Sequence, residues 1–114
     1  MPQTDSHDGP ARPLLMLTTW PDAAGARAAA RDWVNKKLAA CVNILPPMQS
    51  IYHWDGELQQ GEEHQILIKT DDRRAKALEQ AIATAHPYEC PEIIRLDIDG
   101  GYTPYLNWIT GTTA

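Results

Sequence analysis

Four side chains with ligand chemistry, His86, Glu89, Cys90 and Glu92, fall within the seven residues His86-Pro87-Tyr88-Glu89-Cys90-Pro91-Glu92. Imidazole, thiolate and carboxylate suit a cation, and imidazole with thiolate suits a softer one such as copper. The spacing is neither Cys-x-x-Cys nor His-x-His. A purely structural alternative therefore stands beside ligation, with His86 hydrogen-bonded to a backbone carbonyl or a carboxylate at a helix C-terminus. A Cys-His nucleophile pair requires Cys41 to meet His86 in space. The alternative is an inert core thiol, because free cysteine is among the most buried residue types. Gly100-Gly101 opens onto Tyr102-Thr103-Pro104 without the lysine of a phosphate loop or any dinucleotide spacing, and no Gly-x-Ser-x-Gly elbow is present. No nucleophile and base can be paired from the sequence, which points to a binding protein and not an enzyme.

The element that must position these groups is a hairpin. Two extended segments, Ala40 to Trp54 and Glu57 to Thr70, meet at Asp55-Gly56, and a type I′ turn needs positive φ at both central residues, which Asp and Gly tolerate. The turn sets a register pairing Trp54 with Glu57, Tyr52 with Gln59, Met48 with Glu63 and Val42 with Lys69. In the same register His53 opposes Leu58 and His64 opposes Pro47, so these two histidines do not chelate together. Arms of about 14 residues reach roughly 45 Å, whereas a compact chain of this size has a radius of gyration of about 13 to 14 Å. The tip must overhang its own globule. It carries Ile51, Tyr52, Trp54 and Leu58, and an isolated ribbon is marginal in water, so burial against another copy of the chain is expected. Pro46-Pro47 cannot donate to a ladder and predicts a bend or bulge. Glu63 and Lys69 share a hairpin face with Met48, Tyr52 and Trp54. A carboxylate and an ammonium at a seam between subunits would form an ion pair or line a polar pocket, a structural salt bridge being the plainer option.

The 114 residues make one domain. Fifteen acidic and 10 basic residues give a net charge of -5, and the scattered Lys and Arg exclude nucleic acid as a partner. A cation is the more welcome ligand. No apolar run is long enough for a membrane span, the start lacks the build of a signal peptide, and two cysteines in no framework spacing fit a reducing compartment. A cytoplasmic protein is expected.

Met1 to Arg12, rich in Pro, Asp, Ser and Gly, reads as a disordered tail before a domain spanning 13–114. Leu14 to Thr19 reads as a strand buried on both faces and central in its sheet. Asp22 caps a helix from Ala23 to Leu38 with Ala26, Ala30, Val34 and Leu38 on one stripe and Ala29 and Trp33 beside it. After the hairpin, Asp71-Asp72 caps a helix from Arg73 to Ala85, with Ala75, Leu78, Ile82 and Ala85 inward, ended by Pro87. Ile93 to Ile98 is a strand. Thr103-Pro104 starts a short helix ending at Gly111. The order is the βαββαβ of an α+β, ferredoxin-like fold, an antiparallel sheet with two helices on one face and a short C-terminal helix added. Three copies placing their open sheet faces together would bury them.

Leu38-Ala39-Ala40-Cys41-Val42-Asn43, Tyr52-His53-Trp54-Asp55-Gly56, Ile66-Leu67-Ile68-Lys69-Thr70 and His86-Pro87-Tyr88 with Pro91-Glu92, in this order and spacing, resemble the CutA divalent-ion tolerance family. The resemblance runs from Leu14 to Ile109. It implies a stable cytoplasmic homotrimer of ferredoxin-like subunits, similar to the PII signalling proteins and linked to tolerance of divalent cations, copper above all. In bacterial members described as copper-binding the ligands are a cysteine in the first strand and histidines just before the Pro-Tyr. This chain has Thr18 and Ala85 at two of those places and keeps His86. The metal ligands the resemblance suggests here are His86 and Glu92, with Cys90 as a substitute thiolate. Glu63, Lys69, Tyr88, Glu92 and Tyr105 match the family pattern and would surround a cleft between subunits for copper, another divalent cation or a small ligand. The competing function is a PII-like regulatory module that binds a metabolite there or docks on a partner protein.

Overall fold

The computed structural model describes residues 10–114. The tail expected over residues 1–12 lies outside the described residues as far as residue 9. Arg12, at its end, exchanges hydrogen bonds with Asp72: Arg12 N donates to Asp72 Oδ1 at 2.8 Å, and Asp72 N to Arg12 O at 2.9 Å.

Strand β1 (Pro13–Trp20) leads into helix α1 (Ala23–Asn35), followed by the hairpin β2 (Cys41–Trp54) and β3 (Glu57–Asp71), helix α2 (Ala75–Ala85), strand β4 (Ile94–Asp97) and helix α3 (Thr103–Thr112). The sheet has the order β2-β3-β1-β4, and every neighbouring pair is antiparallel. This is the ferredoxin-like arrangement expected from the element order. Period-two alternation sends Leu14, Met16, Ile66 and Ile68 to the helix side. There they form one core with Ala26 and Trp33 of α1 and Ala75, Leu78 and Ile82 of α2. The strand expected to be buried on both faces instead alternates. Leu15 and Leu17 point to the opposite face, are only half-buried and are flanked there by the exposed Ile94 and Leu96.

Asp55 (φ 54°) and Gly56 (φ 77°) make the turn, and the pairs Trp54–Glu57, Tyr52–Gln59, Met48–Glu63, His53–Leu58 and Pro47–His64 follow the register it sets. Between Ile44 and Pro47 the register slips by one, so Lys69 opposes Cys41 and Val42 opposes Ile68. The Val42–Lys69 pairing expected from the turn alone is thus corrected by a bulge at the double proline. Because Pro46 and Pro47 have no N–H, a carbonyl is freed there, and His64 Nδ1 donates to Leu45 O at 2.9 Å. β1 pairs with β3 only as far as His64. Beyond that point the hairpin is a ribbon of two strands, in a molecule 48 Å long and about half as wide, with Ile51 and Leu58 roughly two-thirds exposed.

Four helix boundaries differ from expectation. Lys37 adopts φ 60°, which ends α1 before Leu38 and leaves Val34 exposed. α2 begins at Ala75 with Arg74 at its cap, because the carboxylate of Asp71 is committed elsewhere. α3 is capped by Tyr102 and runs one residue past Gly111, so Thr103-Pro104 is its first turn.

Candidate functional site

The loop after α2 is pinned by His86. Its backbone turns extended ahead of Pro87 while its N–H still closes the helix on Ile82 O. Its ring is buried, with Nε2 donating to Thr19 O at 2.6 Å and Nδ1 accepting from Tyr88 N–H at 3.0 Å. Both partners fix the tautomer with the proton on Nε2. The ring packs between Trp20 and Tyr88, at centroid distances of 4.4 and 4.7 Å. Backbone and imidazole together thus set the direction of Tyr88.

Tyr88 reaches across to the hairpin. Its hydroxyl donates to Glu63 Oε2 at 3.0 Å, and the Thr19 hydroxyl donates to the same oxygen at 3.1 Å. One residue pair further along the sheet, Gln65 Nε2 donates to Thr18 O at 2.8 Å and to Glu92 Oε2 at 3.0 Å. Thr19 and Gln65 oppose each other across β1 and β3, and Glu63 lies two residues from Gln65 on the same side. The open face of the sheet therefore holds two carboxylates, each by one oxygen. Burial, the hydrogen bond to Glu63 and the charges of Glu63 and Tyr52 push the Tyr88 phenol up to about 12. In an ultraviolet titration one of the four tyrosines should ionise last, at about pH 12, and Tyr88→Phe should delete that component. Its persistence in the variant would show that another phenol carries it.

These residues border a cleft of about 600 Å³ between the loop and the distal hairpin. Glu63, Glu89 and Glu92 give it negative charge, Tyr52, Trp54 and Tyr88 give it aromatic surface, and Cys90 stands at its rim. Among the described residues, no Lys, Arg or His lines it. Such a site attracts cations and repels phosphates.

Of the residues singled out in the sequence, Glu63, Tyr88, Cys90 and Glu92 come together at this cleft. His86 lies beneath it with both ring nitrogens used, and offers no lone pair for a metal. Lys69 stands six residues along β3 from Glu63, about 20 Å at strand spacing, and donates instead to Asn43 Oδ1. No Glu63–Lys69 ion pair forms within the chain. Tyr105 stacks on Trp108 of α3, away from the cleft. Cys41 is half-buried beside Asn43 and does not meet His86. Thr18 is fully buried toward the helices. Among the described residues, no three His, Cys, Asp or Glu side chains are arranged to hold a metal ion. Thr19 and Gln65, which orient the two carboxylates, were not singled out. Their only sequence signal is the shared strand parity with Glu63, visible once β1 and β3 are known to be neighbours.

Residues 14–112 match the model of the CutA1 divalent ion tolerance protein family. The chain belongs to that family. It is 40% identical over 99 residues to the divalent-cation tolerance protein CutA of Pectobacterium atrosepticum, covering 87% of this chain and 90% of that protein. It is 38% identical over 114 residues to human protein CutA, covering 98% of this chain but 64% of the human one. Its fold superimposes on the crystal structure of CutA1 from the psychrotrophic bacterium Shewanella sp. SIB1 with a TM-score of 0.86 at 43% identity, covering 91% of this chain and 97% of that one. Relatives from rice and Arabidopsis thaliana are named as chloroplastic. No helix among the described residues is long and apolar enough to cross a membrane.

Proposed function

We propose that this protein is a cytoplasmic homotrimer, without catalytic activity, whose clefts at subunit seams take up a divalent cation, copper foremost. The observation carrying the reading is a cleft with three carboxylates, a thiol and, among the described residues, no basic side chain, in a chain of a family named for divalent ion tolerance. Cys90 supplies soft and Glu92 hard donor chemistry, with Glu63 beside them. Since no three ligands converge among the described residues of one chain, a neighbouring subunit would complete the set. Trimerisation would bury two apolar surfaces that one chain leaves open, the sheet face of Leu15, Leu17, Leu67, Ile94 and Leu96 and the hairpin tip. Two free cysteines fit a reducing compartment.

Two measurements test this. Sedimentation equilibrium should give three times the 12.7 kDa chain mass, and a folded monomer at micromolar concentration would overturn the seam. Calorimetric titration with Cu(II) should show binding that weakens by about tenfold or more in Cys90→Ala and in Glu92→Gln. Isotherms identical to wild type in both variants would remove the site. His86 is not a ligand in this reading, since its ring is spent on Thr19 and Tyr88.

A second reading has its own support. A cleft of about 600 Å³ is the size of a small-molecule site, as a PII-like regulatory module would use. A thermal-shift screen of metabolites tests it, with Tyr88→Phe expected to remove any hit.

A further inference from the structure

We infer that the outer face of α1 and α2 docks an extended acidic segment of a partner protein. This surface lies on the helix side of the sheet, whereas the open face and the hairpin tip are the surfaces a neighbouring copy would cover. The chain carries a net charge of -5, yet this layer is basic. Arg27 and Arg31 of α1, Lys37 just past its end and Lys76 in the first turn of α2 are all exposed. Among the described residues none of the four has a carboxylate partner. The exposed acids of the two helices are already matched, Asp32 to Lys36 at 3.1 Å and Glu79 to Arg95 at 3.3 Å. Asp22 is turned onto the Gly25 N–H as the cap of α1. The negative charge gathers elsewhere, in Asp55, Glu57, Glu62 and Glu63 of the hairpin and Glu89 and Glu92 of the loop after α2.

Spacing and shape select the occupant. Arg27 and Arg31 are one helical turn apart, about 6 Å, close to the roughly 7 Å between alternate side chains of an extended peptide. Two guanidinium groups at that spacing receive two carboxylates, each through paired N–H bonds. Val34 continues the same stripe and is the one large apolar side chain that α1 and α2 leave exposed among the described residues. It offers an apolar contact next to the arginines. The Thr70 hydroxyl donates to Leu38 O at 2.7 Å, which holds the end of α1 beside the strand that leads to α2. Lys37 and Lys76 thus extend the positive surface across both helices. An anionic bilayer suits this face less well, because insertion at an interface needs several large apolar or aromatic side chains, and here there is one. Copies joined through their sheet faces also turn their helix layers outward in different directions, where a flat membrane meets them one at a time.

The test is fluorescence anisotropy of a labelled peptide of alternating Glu and Ser, titrated with the full-length protein at low ionic strength, with the same peptide carrying Gln for Glu as neutral control. The acidic peptide alone should bind, and added salt should weaken it. Arg27→Gln combined with Arg31→Gln should weaken binding by about tenfold and Lys76→Gln by about threefold. These side chains are exposed, so the fold is retained. Adding Asp55→Asn and Asp99→Asn to the double variant returns its net charge from exposed positions outside the helix layer and should leave binding weak. Absence of peptide binding overturns the inference. Wild-type affinity in the double variant overturns it, and so does recovery on adding the two asparagines, because attraction is then to net charge alone. Binding to phosphatidylserine vesicles without binding to the peptide overturns it in favour of a membrane surface.

Discussion

His86→Ala should destabilise the protein by about 3 kcal/mol, measured as a lowered urea midpoint at unchanged slope and fixed protein concentration. The ring closes two hydrogen bonds at once, to Thr19 O at 2.6 Å and from Tyr88 N at 3.0 Å. Its removal strands the carbonyl of a buried residue and the N–H of the loop. An orphaned buried group costs about 1 to 3 kcal/mol, and the space left beside Trp20 adds a cavity term. The loss also reaches the cleft. Tyr88 is aimed at Glu63 by the backbone that His86 holds, so the last tyrosine to titrate in wild type should move toward the ordinary value in His86→Ala. A cost below about 1 kcal/mol, which is the range of an ordinary exposed substitution, would show that the imidazole bonds are not what fixes the loop.

The same histidine shows where sequence reading stops. His86 beside Glu89, Cys90 and Glu92 invites a ligand set, and only its partners decide otherwise. Thr19 O lies 67 residues away, so nothing local marks the contact. Local chemistry, by contrast, was readable. Asp55-Gly56 announces a turn with two positive φ angles, and the pairing holds from Trp54–Glu57 through Pro47–His64 because each step of a ladder fixes the next. It fails beyond the double proline. Pro46-Pro47 shows that the ladder must break but not how many residues it skips, and one skipped residue puts Cys41 in place of Val42 opposite Lys69. Lys37 ends α1 in a left-handed conformation usually reserved for glycine or asparagine, so an Ala-rich stripe alone extends that helix too far and draws Val34 inward. At the cleft, strand parity places Glu63 with Met48, Tyr52 and Trp54. The approach of Tyr88 and Glu92 to that face depends on where the loop after α2 lands, which is a property of the packed core.

Asp71 holds the second large effect, because it joins the end of the hairpin to α3 from a fully buried position. Its carboxylate accepts from Arg73 N at 2.8 Å, from Arg73 Nε at 3.2 Å and Nη2 at 2.7 Å, and from the Thr113 hydroxyl. Arg73 Nη2 also donates to Thr110 O and Arg74 Nε to Thr113 O, each within 2.8 Å, so two guanidinium groups cap the C-terminal carbonyls of α3. Burial alone would raise the Asp71 pKa. The hydrogen bonds from Arg73 and Thr113, with the charge of Arg73, outweigh it and hold the carboxyl below its ordinary 3.8. A pKa lower in the folded than in the unfolded chain means stabilisation that is complete above the unfolded value and is lost as pH falls through the folded one. Asp71→Ala should therefore cost about 3 to 5 kcal/mol at neutral pH and release α3, seen as faster amide exchange over residues 103–112. Asp71→Asn keeps the shape without the charge, and its deficit against wild type should shrink as pH drops below 3.8. A deficit for Asp71→Asn that is the same at pH 7 and in acid would show that the clasp works through shape and not through charge.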